Sequence, residues 1–158
     1  MDTTVDVERP HPLHARLVVV GLVLALAVLL LPGRAMAAPA DDPATAVGLI
    51  NQARADYGLG GLTQDPELQA LADRQANRMA DAGYLFHTSR LGDRLSAGWW
   101  AWAENVGYGS SVEWVHGAFM NSDLHSANIL DPTYDYVGVG VAYGSDGSVY
   151  VSEIFGAW

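Results

Sequence analysis

The sequence predicts an α+β domain built in layers, and three observations carry that prediction. Two segments open with the same helix-starting device, Asp42-Pro43 and Asp65-Pro66. The end of the chain instead alternates with period two, Val137, Val139, Val141 and Tyr143 against Gly138, Gly140 and Ala142. A turn-rich stretch, Gly144-Ser145-Asp146-Gly147-Ser148, then leads into a second strand over Val149–Phe155. Helices first and an antiparallel hairpin last make an α+β layered arrangement.

The N-terminal residues read as an address label rather than as part of the fold. Arg9 and Arg16 precede an apolar run of 15 residues, Leu17–Leu31. Pro32-Gly33 breaks that run, and Ala35-Met36-Ala37 offers the small-x-small pattern that signal peptidase reads. A spanning helix needs about 20 apolar residues. Residues 1–37 are therefore expected to be a cleaved signal peptide and not a stable membrane anchor, with His11 and His14 leaving alongside it. Residues 38–45 form a short leader, and the domain is expected over 46–158.

Ala38–Trp158 is 121 residues, enough for one core. It carries 15 acidic residues against five arginines and no lysine, a net charge of −10. That balance argues against a nucleic-acid surface, which needs a basic footprint, and against electrostatic docking on anionic lipid. An acidic surface simply keeps an exported protein soluble. There is no cysteine, so no disulfide braces the fold and no thiol can act as a nucleophile.

The elements follow in order. Asp42 caps a first helix with Pro43 in its first position, Ala46, Val47, Ile50, Ala53 and Tyr57 form its apolar side, and Gly58 ends it. Asp65-Pro66-Glu67 opens a second helix whose stripe is Leu68, Leu71, Ala72, Gln75 and Met79, closed by Gly83. From Tyr84 to Gly109 the pattern weakens into expected loops, with a helical turn near His87 and another near Glu104. Ser110 and Glu113 make a capping box for a third helix with Trp114, Val115, Ala118 and Phe119 on its apolar side. Glu113 and His116 can pair across one turn of it. A short helix over roughly Asp123–Leu130 carries His125. The hairpin follows, and its bare Gly138 and Gly140 suit close packing of another segment.

Candidate chemistry centres on His87, Glu104 and His125, spaced 17 and then 21 residues apart, too wide for one helix face. Their surroundings read Phe86-His87, Ala103-Glu104-Asn105-Val106 and Ser122-Asp123-Leu124-His125-Ser126-Ala127-Asn128-Ile129-Leu130. With the Val137–Val141 strand and the closing Phe155-Gly156, these segments resemble, in order, the motifs of the CAP superfamily, the SCP-like, cysteine-rich secretory, antigen 5 and pathogenesis-related proteins. The resemblance runs from about Ala46 to Trp158 and points to the cysteine-free bacterial branch. It implies a three-layer α-β-α sandwich in which His87, Glu104 and His125 converge in a cleft. It also implies that Ser122 takes the place of a second glutamate found in many eukaryotic relatives. Two departures stand out: Ala103 replaces the motif glycine, and Glu153 stands where the family often has Gln. Alternation places Glu153 on the face shared by Val151 and Phe155, so it is either a buried, perturbed carboxylate or, the favoured reading, an edge residue turned to solvent.

Two imidazoles and one carboxylate are a three-ligand set for zinc or another divalent cation with an open fourth position. A metal-bound water there would be acidified, which is the chemistry of a hydrolase. Without metal, Glu104 can orient one imidazole as a general base. The plainer alternative is a hydrogen-bonded cluster that braces the wall. Asn105 and Asn128, flanking the acid and the second histidine, read as bracing amides. Aromatics as dense as Trp99, Trp100 and Trp102 usually mean packing, but all three cannot turn inward from one loop, so at least one is expected to be exposed; a lip for an apolar or sugar ligand is the functional alternative. The expected function is a secreted extracellular binding module that takes a divalent metal and a small or lipidic ligand. A metal-dependent hydrolase and a protein or cell-wall interaction domain are the alternatives. No Gly-x-Ser-x-Gly, His-Glu-x-x-His or phosphate-cradling glycine loop is present.

Overall fold

The computed structural model describes residues 42–158. The expected signal peptide, and the leader before Asp42, lie outside the described residues. The elements are α1 (Asp42–Asp56), β1 (Thr63–Gln64), α2 (Pro66–Ala82), a 3-10 turn (Leu91–Arg94), β2 (Ala101–Gly109), α3 (Val112–Met120), α4 (Asp123–Ile129), β3 (Tyr136–Tyr143) and β4 (Val149–Ala157). The first helix takes in Asp42–Thr45, the last four residues of the expected leader.

The sheet has four strands in the order β1-β3-β4-β2. The short β1 runs parallel to β3, and both other pairings are antiparallel. One face packs against α1, α3 and α4 through Ile50, Val115, Phe119, Ile129, Val137, Val139, Val151 and Phe155. The other face receives α2, where Leu68, Leu71 and Ala72 meet Ile154, and Met79 meets Val106 and Tyr150. This is the three-layer α-β-α sandwich.

The second helix forms as its sequence dictates. The Asp65 carboxylate accepts from the N–H of Glu67 at 2.8 Å and of Leu68 at 3.0 Å, satisfying donors that a helix start leaves orphaned. At the other end Gly83 takes a left-handed φ of 73° and donates to the Met79 carbonyl. The bare face of β3 is where α2 lies. A Cβ on Gly138 would stand 2.1 Å from the Leu68 backbone, and one on Gly140 would stand 2.2 Å from the Ala72 carbonyl oxygen.

Several expectations are corrected. The helical turn expected near Glu104 does not form: Ala101–Gly109 is a full edge strand paired along β4. The α3 cap is Ser111, one residue later than the expected Ser110, and its hydroxyl accepts from Trp114 N–H. The buried side of α3 is Val112, Val115 and Phe119, while Trp114 and Ala118 face outward. Tyr57 lies beyond α1 and is 67 % exposed. Glu113 and His116 form no ion pair; His116 is half-buried, with its Nδ1 lacking a hydrogen-bond partner among the described residues.

Candidate functional site

Glu104 sits in the edge strand β2 with its carboxylate only 5 % exposed, and both of its oxygens are engaged. Oε2 accepts from Thr88 N–H at 2.8 Å and lies 2.8 Å from His87 Nδ1. Oε1 accepts from the Thr88 hydroxyl at 2.7 Å and from the Ser152 hydroxyl at 3.4 Å. A carboxylate held by so many donors works as an orienting group. Its effect on His87 is to fix the ring through Nδ1 while leaving that side chain 61 % exposed.

His125 is held differently. It lies in α4, stacks on Phe119 with ring centroids 4.9 Å apart, and places Nδ1 2.8 Å from the Ser122 hydroxyl. Its pKa is lowered, first by burial and then by the charge of His87. The imidazole is thus biased toward the neutral form that ligates metals. Nδ1 of each histidine is engaged by a partner, and Nε2 of each has no protein hydrogen-bond partner among the described residues.

So the structure brings His87 and Glu104 into contact and gives Ser122 to His125. Among the described residues no group of three His, Cys, Asp or Glu side chains is placed to hold a metal ion. Of the expected set His87, Glu104 and His125, both glutamate oxygens are already engaged by His87, Thr88 and Ser152.

Asn105 is fully buried and points to the opposite face of β2 from Glu104, as strand alternation requires. Its amide donates to the His125 carbonyl at 3.1 Å and to Glu153 Oε2 at 3.0 Å, and its oxygen accepts from Asn128 at 2.8 Å. Both asparagines therefore brace β2 against α4. Glu153 is the clearest correction. It is 1 % exposed, because β4 is an interior strand and not an edge. Burial pushes its carboxyl up to about 7, opposed by the hydrogen bond from Asn105.

Trp99 is buried, with its indole N–H donating to Glu67 Oε2 at 2.9 Å, whereas Trp100 and Trp102 are 63 % and 43 % exposed. Sequence reasoning missed Thr88 and Ser152, the two hydroxyls that hold Glu104. Its place opposite Glu153 in the alternation of the largely apolar run Val149–Phe155 was the available signal for Ser152. Thr88 had none beyond its place next to His87.

The architecture has counterparts among known proteins. YkwD of Bacillus subtilis, described as uncharacterized, is 30 % identical over 118 residues, which is 70 % of this chain and 45 % of YkwD. The chain therefore spans about half the length of that relative. An extracellular protein containing an SCP domain from Bacillus anthracis is 25 % identical, with a TM-score of 0.64 over 74 % of this chain and 40 % of its own. An outer surface protein of Borrelia burgdorferi superposes with a TM-score of 0.68 at 20 % identity, covering 74 % of this chain and 92 % of that one. A family model matches residues 47–155, which run from within α1 to within β4 and include His87, Glu104 and His125. A cysteine-free chain with this sandwich and these motifs belongs to the CAP family, the cysteine-rich secretory protein family.

Proposed function

We propose that the chain acts outside the cell as a binding module, with a cleft at His87, Glu104 and His125 that takes a divalent cation and, beside it, a small or lipidic ligand. One observation carries this reading: each imidazole is anchored through Nδ1, His87 by Glu104 and His125 by Ser122, and each keeps Nε2 for a ligand. That is how metal-binding histidines are usually prepared, with the second nitrogen fixed by a carboxylate or other acceptor. His87 and His125 would hold the cation, and Glu104 and Ser122 are positioning residues. When bound, the cation would supply a Lewis acid to a ligand oxygen. The solved structure of NaASP2 with Zn2+, at 13 % identity and a TM-score of 0.57, lends support. The descriptions of the B. anthracis and B. burgdorferi proteins as extracellular and outer surface support the location.

Calorimetric titration with zinc tests the cleft. His125→Ala should weaken binding at least about tenfold while the fold persists, because the side chain contributes little to the core. Glu104→Ala should weaken binding and also lower thermal stability, since Thr88 would lose the acceptor of two donors. Affinity should fall as pH is lowered, because a protonated imidazole cannot ligate, and burial moves that loss for His125 below the ordinary histidine range. Equal zinc affinity in wild type and His125→Ala would remove the metal role. Metal-dependent ester turnover lost in His87→Ala would move the reading to the hydrolase. The exposed Trp100 and Trp102 favour a second reading, an aromatic docking face. Loss of partner binding in Trp100→Ala with zinc binding intact would support it.

A further inference from the structure

Ala38–Trp158 has five arginines as its only strong cations, and the structure accounts for each. Arg54 is buried among backbone carbonyls, donating to those of Gly60, Ile129, Asp131 and Tyr134. Arg90 pairs with Asp93 at 3.6 Å. The remaining three, Arg74, Arg78 and Arg94, line one small cavity together with Leu71, Gln75 and Thr88. None of the three has a carboxylate within 4.0 Å among the described residues, although acids outnumber arginines three to one in this part of the chain.

Ordinary surface statistics would scatter these arginines among acids. Here the fold does the reverse. Arg74 and Arg78 stand one helical turn apart on α2, a like-charge spacing that weakens a helix. Arg94 is carried to them by a separate element, the turn over Leu91–Arg94. Two of the guanidinia are also held in place. Arg78 donates Nη1 to Gln75 Oε1 at 3.2 Å and lies 5.1 Å over the Phe86 ring, and Gln75 is itself only 1 % exposed and donates to the Phe86 carbonyl. Arg94 donates Nε to the Ser89 carbonyl at 2.9 Å, leaving its terminal N–H groups unused by these contacts. Thr88 contributes its surface alone, because both its donors serve Glu104.

From this convergence we infer that the cavity is a site for a tetrahedral oxyanion of the phosphate class. Its volume, about 70 Å³, is far below the ~300–1,000 Å³ of pockets that enclose whole organic ligands, and it suits one small ion or the head of a phosphomonoester. Guanidinium forks match phosphate oxygens bidentately, and an anion here would remove the repulsion among three unpaired cations. The cavity shares Thr88 with the Glu104 network, but none of its three arginines hydrogen-bonds to His87, Glu104 or His125.

The test is titration of the full chain with inorganic phosphate and with glycerol phosphate, read by calorimetry and by thermal shift, with chloride at matched ionic strength as the control. Saturable binding of one or both is expected, and the thermal midpoint should rise with ligand concentration. Tighter binding of glycerol phosphate would identify a phosphomonoester head group, and equal or tighter binding of inorganic phosphate would identify the free ion. Arg78→Gln and Arg94→Gln should each weaken binding about tenfold or more, as expected for losing a charge-assisted bond. Arg90→Gln, outside the cavity, should leave it unchanged, and so should His125→Ala. An equal shift with chloride, equal loss in Arg90→Gln, or no saturation by either phosphate would overturn the site.

Discussion

At the scale of single residues, the chain uses its polar side chains in two distinct ways on the two faces of the sheet. Glu104 turns to the face with Thr88 and Ser152, where His87, two Thr88 groups and the Ser152 hydroxyl engage both of its oxygens. Glu153 lies on the other face with a single amide donor, and there desolvation wins. Its carboxyl is pushed up from 4.5 to about 7, so the fold favours the protonated form. A raised acid contributes stability that is complete below about pH 4.5 and is lost as pH rises through about 7, a loss of roughly 3 kcal/mol by linkage. Glu153→Gln keeps the shape without the charge. Urea unfolding should find it within about 1 kcal/mol of wild type at pH 5 and about 2–3 kcal/mol more stable at pH 8. A gap that does not change with pH would mean that Glu153 is not titrating in the fold. Its burial was hard to read because alternation places it on the apolar face of Val151 and Phe155 but cannot tell an interior strand from an edge. Only the strand order decides that.

At the scale of elements, α2 and β3 approach each other backbone to backbone, and glycine is what permits it. On the face of β3 that carries Gly138 and Gly140, the backbone of α2 occupies the space a Cβ would need. Gly140→Ala should therefore force the helix away from the sheet and cost about 3 kcal/mol or more, the upper range for overpacking against backbone that cannot swing aside. Chemical denaturation measures this, and a cost below about 1 kcal/mol would mean that α2 sits more loosely than described. The α2 cap, stripe and terminal glycine were all legible, since each is local and repeats a known helix grammar. The strand β2 was not. Its sequence, Ala-Trp-Ala-Glu-Asn-Val-Gly-Tyr-Gly, lacks a β-branched run, and it becomes a strand because nine residues of β4 offer it a partner. Tertiary pairing overrode a weak local preference.

At the scale of the whole molecule, a domain without disulfides must close its loops by other means. Arg54 does so by gathering the carbonyls of four residues from the α1–β1 connection and from the end of α4 and the segment after it. Burial disfavours its charge, while Asp131 and Asp135 support it. The signal for this was present: Ala46, Ile50 and Arg54 recur every fourth residue, which sets the arginine on the buried stripe of α1. Charge acts at the same scale. With 15 acids and five arginines after Ala37, this part of the chain carries a net charge of −10 and yet lines one cavity with three of its cations. Export belongs to this scale as well, predicted by the 15-residue apolar run and the Ala35-Met36-Ala37 pattern. N-terminal sequencing of the protein recovered from the medium should begin at or near Ala38. Recovery of membrane-bound chain with Leu17–Leu31 intact would instead make that run an anchor.

By itself the sequence determined the helix starts and stops, the closing hairpin, the layered α+β class and the motifs of the family, because those depend on contacts between neighbours in the chain or on its periodicity. Only the tertiary structure decided that β4 is interior and Glu153 buried, and that the Glu104 oxygens are spent on Thr88, Ser152 and His87. It alone also showed that Arg74, Arg78 and Arg94 share one cavity. Each of these turns on which residues, 16 to 48 positions apart in the case of the Glu104 partners, the packing brings within hydrogen-bond range. Sequence spacing carries no information about such distances until the layers are assembled.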